Sequence, residues 1–453
     1  MNFLFGTDFF YKIKIYKNNK LFEESDRYFT WPNGFSLDNT LQKHNIIKIN
    51  EYELNQYEEY SEILINNKHS FYSSNFFKPS IGNFIRYDLP DLYKSTSELI
   101  DSNSNFYYLI NDCLDFFNFH NECDLPEHII QYIKLNKCKI VLNTAYEPYS
   151  VQPKEYYESI TNFAIKYKLT KDNFFILTGD LIAQNNEKHR FKFIPYLYFL
   201  DFLMFTNKFD KKFKNESELN LSNLININRN IKFDKKILCY QRRNHIHRNA
   251  FYYEVINSQT INNNIFISLW REYTNFEFDY KIIGYSQNES NLINIFLKEN
   301  VSNISFDDRN IIDNLGVDFD VNFHKKTFVS VVSESRVEDD LIFFSEKIFK
   351  PVYALQPFIL ISSQNSLNKL KEFGFKTFDK WWDESYDSSI NAKERIEKIK
   401  KILVDICNKS DDELKIMLIE MEDILIHNYK ILTDTNFKNF NNIIDELLTC
   451  NWG

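Results

Sequence analysis

The sequence predicts an α/β protein of two successive Rossmann-like domains facing across a cleft, with a helical C-terminus. Three observations lead there. At 453 residues the chain is too long for one ordinary core. Two series of alternating strand and helix signals are separated by a long polar stretch. From Ala392 to Leu448 the apolar spacing is helical throughout.

The bulk properties agree with a folded enzyme-sized chain. Hydrophobic residues make up 43% and aromatics 17%, enough apolar surface to oppose the conformational entropy of the chain. A formal net charge of −9 argues against binding nucleic acid through a blanket of Lys and Arg, so any phosphate site must be a local basic constellation. The N-terminus lacks a positive region followed by a long apolar run, and the longest apolar candidate, Ile194 to Phe205, is short and contains Asp201. No transmembrane segment is expected, and the reading places the protein in the cytoplasm, with a peripheral membrane position left open. The six cysteines form no C-x-x-C pair, so neither a disulfide framework nor a zinc site is expected.

The elements follow in order. Residues 1–137 mix short apolar segments with acidic, Asn-rich loops and are assigned to the first domain. A strand KIVLNT, a loop AYEPYSVQP, a helix from Glu155 to Leu169 and a strand FFILTG then make a β-α-β unit. Asn207 to Asn230 shows no sustained apolar face and reads as an interdomain connection. A second series begins at KKILCY and continues through NIFISLW, YKIIGY, a helix near Leu292 to Lys298, TFVSVVS, a helix after Phe344, PFILIS and NSLNKLKEF. The expected domains are residues 1–230, 231–391 and 392–453, the last being C-terminal helices. The last helix is a candidate to cross back to the first domain.

Two segments of the second series carry chemistry. Arg242, Arg243, His245, His247 and Arg248 follow KKILCY at the opening of a helix, where backbone N–H groups and guanidinium forks favour phosphate. The other reading is a solvated basic turn. With only 8 Gly the chain has neither G-x-G-x-x-G nor a Walker loop, which removes the common dehydrogenase and P-loop readings. The second segment is SVVSESRVEDDLIFFSEKIFKPVYALQPFILIS, with a carboxylate at Glu334 and a Glu346, Lys347, Lys350 cluster. A carboxylate accepts from ribose hydroxyls while a neighbouring ammonium neutralises phosphate oxygens. An ordinary helix start with charged surface residues is the competing reading. Pro351 moves the expected helix start to Pro351 itself.

Read together, HRNAFYYEVIN and SES followed by FFSEKIFKPVYALQPFIL resemble the α1,3/1,4-fucosyltransferase superfamily, whose members are inverting, metal-independent glycosyltransferases of the GT-B fold. The resemblance covers roughly residues 235–375. It implies that Arg248 and Lys347 hold the pyrophosphate, that Glu346 holds the ribose and that Glu334 lies near the transferred sugar. Arg242, Arg243 and Lys350 join the expected donor site from the basic loop and the charged cluster themselves, not from the resemblance. Ser335 stands where the family has Asn, and the stretch to the Glu-Lys pair is longer than usual. The function implied is transfer of fucose or a related sugar from a GDP-sugar to a hydroxyl of a glycan or lipid-linked glycan. No cofactor or metal is expected beside the nucleotide-sugar substrate.

Inverting transfer also needs a general base, for which Glu147 in the loop after KIVLNT is the candidate, with Asp180 in the equivalent place on the next strand. Asp318 and Asp320 have the spacing of a metal-binding pair, a spacing frequent by chance among 63 acidic residues. Trp381 and Trp382 read as packing residues before sugar-stacking ones. Two alternatives stay open: a transferase with another donor or a retaining mechanism, and a catalytically silent scaffold that binds glycans or partner proteins.

Overall fold

The computed structural model of the chain describes residues 5–17, 20–30, 59–65, 69–70, 93–111, 125, 127–145, 154–183, 190–201, 221–241, 245–269, 278–300, 321–337, 340–433, 438–449 and 452. Contacts divide the chain into two units. Unit 1 holds residues 1–178, 183–196 and 438–453, and unit 2 holds residues 179–182 and 197–437. Both are α/β.

Unit 1 is built on one sheet. The strands β1 (Phe5–Lys17), β2 (Lys20–Thr30), β3 (Glu59–Ile65), β4 (His69–Ser70) and β5 (Tyr93–Ser95) precede β6 (Phe106–Asn111), β7 (Cys138–Thr144), β8 (Phe174–Thr178) and β9 (Lys192–Pro195). The order is β4-β3-β1-β6-β7-β8-β9, with β2 and β5 also paired to β1. From β6 to β9 all pairings are parallel, whereas β1 pairs antiparallel with β2 and β3 along most of its length. All seven residues of β7 and all five of β8 are buried, as strands covered on both faces must be. Helices α1 (Glu127–Lys134) and α2 (Lys154–Lys166) supply Ile129, Ile133, Ile160 and Phe163 to the core they share with Ile140, Leu142, Phe174 and Ile176.

Unit 2 carries an all-parallel sheet of β10 (Ile237–Gln241), β11 (Ile265–Leu269), β12 (Val329–Ser333) and β13 (Phe358–Ile361) in the order β11-β10-β12-β13. The second strand lies on one side of the first and the third and fourth lie on the other. Between β10 and β12, therefore, the winding reverses, and a doubly wound sheet opens its ligand crevice at the carboxyl ends of such a pair. Ile237 is level with Val329 and Leu238 with Ser330, so Gln241 and Ser333 end their strands on the same, carboxyl side of the sheet.

Among the described residues, the helices of unit 2 longer than one turn are α3 (Leu221–Arg229), α4 (Ile246–Ile256), α5 (Gln287–Asn300), α6 (Glu346–Tyr353), α7 (Ser366–Glu372), α8 (Ala392–Asn408) and α9 (Asp411–Leu432). Three sequence expectations change. Within the stretch read as a connection, α3 folds because Leu224 is buried and Arg229 makes a two-pronged ion pair with Glu422. YKIIGY is a 3₁₀ turn and not part of a strand, since the Asp279 carboxylate caps Lys281 N and Gly284 ends it at φ 103°. Helix α6 starts at Glu346, with Ser345 as its N-cap, and Pro351 falls in its last turn, so the i→i−4 bond it cannot make is lost with only Val352 and Tyr353 of the helix still to come.

After α9, a C-terminal helix, Lys438–Leu448, belongs to unit 1. No helix among the described residues is long and apolar enough to cross a membrane.

Candidate functional site

The polypeptide leaving β12 is held by side chains of the first turn of α4. After the His245 N-cap, in extended conformation, His247 and Arg248 turn inward and are 2% and 1% exposed. The Arg248 Nη2 group donates to Ser333 O at 2.8 Å and to Glu334 O at 3.0 Å, and His247 Nε2 lies 2.9 Å from Glu334 O. A carbonyl oxygen only accepts, so His247 carries its proton on Nε2. Glu334 N donates to Ile361 O, so the backbone where the chain leaves the sheet is satisfied on both sides.

Glu334, fully buried, points its carboxylate at the start of α6. Oε1 accepts from Ser345 N at 3.2 Å and Oε2 accepts from Ser345 Oγ at 2.5 Å. The same Oγ accepts from Lys347 Nζ at 3.0 Å and, more weakly, from Lys347 N at 3.4 Å. Lys347 Nζ also bonds Glu346 Oε1 at 2.9 Å. Glu334, Ser345, Lys347 and Glu346 thus form one continuous chain of hydrogen bonds.

The electrostatics are uneven. Burial, added to by Glu346, raises the Glu334 carboxyl above its ordinary range against the opposing pull of Lys347 and Ser345. Burial acts on Glu346 as well, but Lys347, Lys350 and the hydrogen bonds outweigh it and hold that carboxyl below the usual value. Burial, then the Arg248 charge, pushes His245 down to about 2 and His247 to about 3, so both rings are neutral at physiological pH. They stack with centroids 5.8 Å apart.

Two further polar groups stand at the reversal of the sheet. The Ser333 hydroxyl is buried and makes no hydrogen bond among the described residues, and the buried Gln241 side chain has only the Cys239 thiol within reach. Such groups cost free energy unless something polar meets them.

Of the residues singled out from sequence, Arg248, Glu334, Glu346 and Lys347 come together at this point. Lys350 lies one turn further along α6, close enough to act on both Glu346 and the buried His324. Arg242, Arg243, Glu147, Asp318 and Asp320 lie outside the described residues. Asp180 is 4% exposed and its Oδ1 accepts from Ile182 N; its neighbour Leu181 N donates to Ile342 O, three residues before Ser345. Trp382 is buried against Phe378, and the Trp381 Nε1 group donates to Glu420, so both tryptophans serve packing. Among the described residues no three His, Cys, Asp or Glu side chains converge as a metal-ligand set.

Sequence reasoning missed Ser345 and the part played by His247. Serine is a favoured N-cap, and its place directly before Glu346-Lys347 was a usable signal. Nothing local marks His247, whose partner is 87 residues away.

No family model matches the chain, and no curated protein matches it in sequence. Among solved structures, the N-terminal domain of Candida albicans trehalose-6-phosphate phosphatase is similar at 9% identity and TM-score 0.38, over 82% of this chain and 75% of that one. An α1,3-fucosyltransferase is similar at 14% identity and TM-score 0.32, over 80% and 88%. An α,α-trehalose 6-phosphate synthase from Burkholderia multivorans is similar at 9% identity and TM-score 0.36, over 76% and 70%. At scores this low the likeness assigns neither substrate nor reaction to this chain.

Proposed function

We propose that this chain is a cytoplasmic glycosyltransferase that takes a sugar from a nucleotide-sugar donor, with its donor site at the reversal of the unit 2 sheet. One observation carries the reading. Where a doubly wound sheet opens its crevice, hydrogen bonds link Arg248, Glu334, Ser345, Lys347 and Glu346 in one cluster beside the buried, unpartnered Ser333 hydroxyl. Lys347 keeps 28% of its side chain exposed and is the cation that meets the donor pyrophosphate. Arg248, fully buried, contributes its charge from beneath while holding the 333–334 backbone.

In this reading Glu346 accepts from ribose hydroxyls, and Glu334 lies toward the transferred sugar. Arg242, Arg243 and Lys350 add positive charge around the diphosphate. The donor is a GDP-sugar of the fucose type, and the acceptor is a glycan or lipid-linked glycan. Transfer proceeds with inversion. The acceptor oxygen forms its bond to the anomeric carbon as the bond to the diphosphate breaks. The acceptor proton passes to Glu147, and the leaving diphosphate, which takes the electron pair, is stabilised by Lys347 and Arg248 without a metal.

The test incubates the protein with GDP-fucose, GDP-mannose, UDP-GlcNAc and UDP-glucose, with and without EDTA, and measures nucleoside diphosphate release. One donor is expected to be consumed at a rate EDTA does not change. Glu147→Gln is expected to slow transfer by about 10²–10⁴-fold, the range of a lost general base, while leaving donor affinity intact. Four intact donors, with no diphosphate raising the melting temperature, would contradict the proposal.

A further inference from the structure

Ser345 is placed between the buried carboxylate and the exposed cation of the site. Its hydroxyl has one proton and two lone pairs. Three donors or acceptors compete for them: Glu334 Oε2 at 2.5 Å, Lys347 Nζ at 3.0 Å and Lys347 N at 3.4 Å. Both Lys347 groups can only donate, so the hydroxyl proton goes to Glu334 and the lone pairs face Lys347.

The distances decide what the hydroxyl is for. An N-cap needs only the bond from a backbone N–H of the first turn, and here that bond is the longest of the three. The two short bonds run to the Glu334 carboxylate and the Lys347 ammonium. Glu334 is itself anchored, because its backbone carbonyl receives Arg248 and His247. A rigid path therefore leads from the end of β12 through Glu334 and Ser345 to the Lys347 ammonium.

We infer that Ser345 is a positioning residue that fixes the Lys347 ammonium at the mouth of the crevice by linking it to Glu334. The inference rests on the donor-site reading only for what the ammonium meets there, a nucleoside diphosphate. The positioning itself concerns the unliganded protein. Without the hydroxyl, Lys347 keeps Glu346 as a partner but loses the link that sets its direction.

The test compares wild type with Ser345→Gly and Ser345→Thr. Glycine is nearly as good an N-cap as serine, so Ser345→Gly removes the hydroxyl with little loss of capping; threonine restores the hydroxyl. Two readouts are taken. In the unliganded protein, acetylation of Lys347 by acetic anhydride is followed by mass spectrometry relative to Lys192 in unit 1. Separately, GDP and UDP are titrated calorimetrically.

Ser345→Gly is expected to speed Lys347 acetylation and weaken diphosphate binding, each by about tenfold, the scale of one charge-assisted hydrogen bond. Ser345→Thr is expected to return both toward wild type. Acetylation of Lys347 within twofold of wild type in Ser345→Gly would overturn the inference. So would a Ser345→Thr protein that folds with wild-type melting temperature and yet behaves like Ser345→Gly. If wild type binds neither nucleotide, the donor-site reading fails, and the acetylation rates still decide the role of Ser345.

Discussion

The site contains two histidines that the protein keeps from titrating in their ordinary range. His247 is buried beside Arg248, and its folded value near 3 lies well below the value of about 6.5 for an unfolded histidine. Between those limits the unfolded chain binds more protons than the folded one. The stability held by the neutral ring is therefore fully present above about pH 6.5 and is lost as pH falls toward 3. Replacing His247 with Gln keeps an N–H donor for Glu334 O and removes the titration. Urea midpoints at pH 7 and pH 4.5 are expected to fall less in His247→Gln than in wild type. Equal falls would mean that His247 is not held neutral by its surroundings. The same logic explains why residue types were readable from sequence while their couplings were not. Glu334, Glu346 and Lys347 stand out because carboxylates and an ammonium cluster after a strand. The bonds that unite their side chains pass through Ser345, and the anchor of the Glu334 backbone is His247, 87 residues away in sequence.

At the level of elements, helix starts and turns decide where side chains can converge. Gly284 ends the 3₁₀ turn at φ 103°, and a Cβ added there would stand 2.7 Å from Asn391 Oδ1. That oxygen caps α8 by accepting from Glu394 N at 2.9 Å. Gly284→Ala would force a left-handed alanine and push the cap aside. Left-handed strain of about 1–2 kcal/mol and a lost cap of about 1 kcal/mol add to roughly 2–3 kcal/mol. A calorimetric melting temperature lower by several degrees is the expected outcome, and an unchanged one would show that the cap relocates without cost. The strands of unit 2 were legible because buried parallel strands read as continuous apolar runs, VSVVS and FILI among them. The turn at YKIIGY has the same apolar look over four residues, and only the flanking Asp279 and Gly284 mark it as a turn. In unit 1 the antiparallel pairing of β1 with β2 and β3 was not foreseen, since polar residues interrupt the apolar pattern along those segments.

For the whole molecule, the chain completes unit 1 with its last residues. Tyr107 Oη donates to Leu447 O at 2.6 Å, Lys192 pairs with Glu446 at 3.0 Å, and the Lys139 ammonium lies 4.8 Å from the Trp452 ring centre. These contacts each span more than 250 residues of sequence, so unit 1 joins segments far apart along the chain. The helical character of that terminus was plain from its spacing; its partners could not be read, because each contact depends on a residue far away along the chain. Unit 2, by contrast, is nearly continuous in sequence, and its sheet reversal follows from the strand order. The proposed diphosphate site at this reversal draws on residues of unit 2 alone, whatever the acceptor.

Calorimetric titration of GDP and UDP into wild type and Lys347→Met tests it most directly. Methionine keeps much of the aliphatic stem and removes the ammonium, leaving Arg248 and the 333–334 backbone untouched. The expected result is saturable binding of a nucleoside diphosphate to wild type that weakens at least about tenfold, or ~1.4 kcal/mol, in the variant at an unchanged melting temperature. Equal affinity in the two proteins, or no binding in either, would contradict a diphosphate site at the unit 2 reversal.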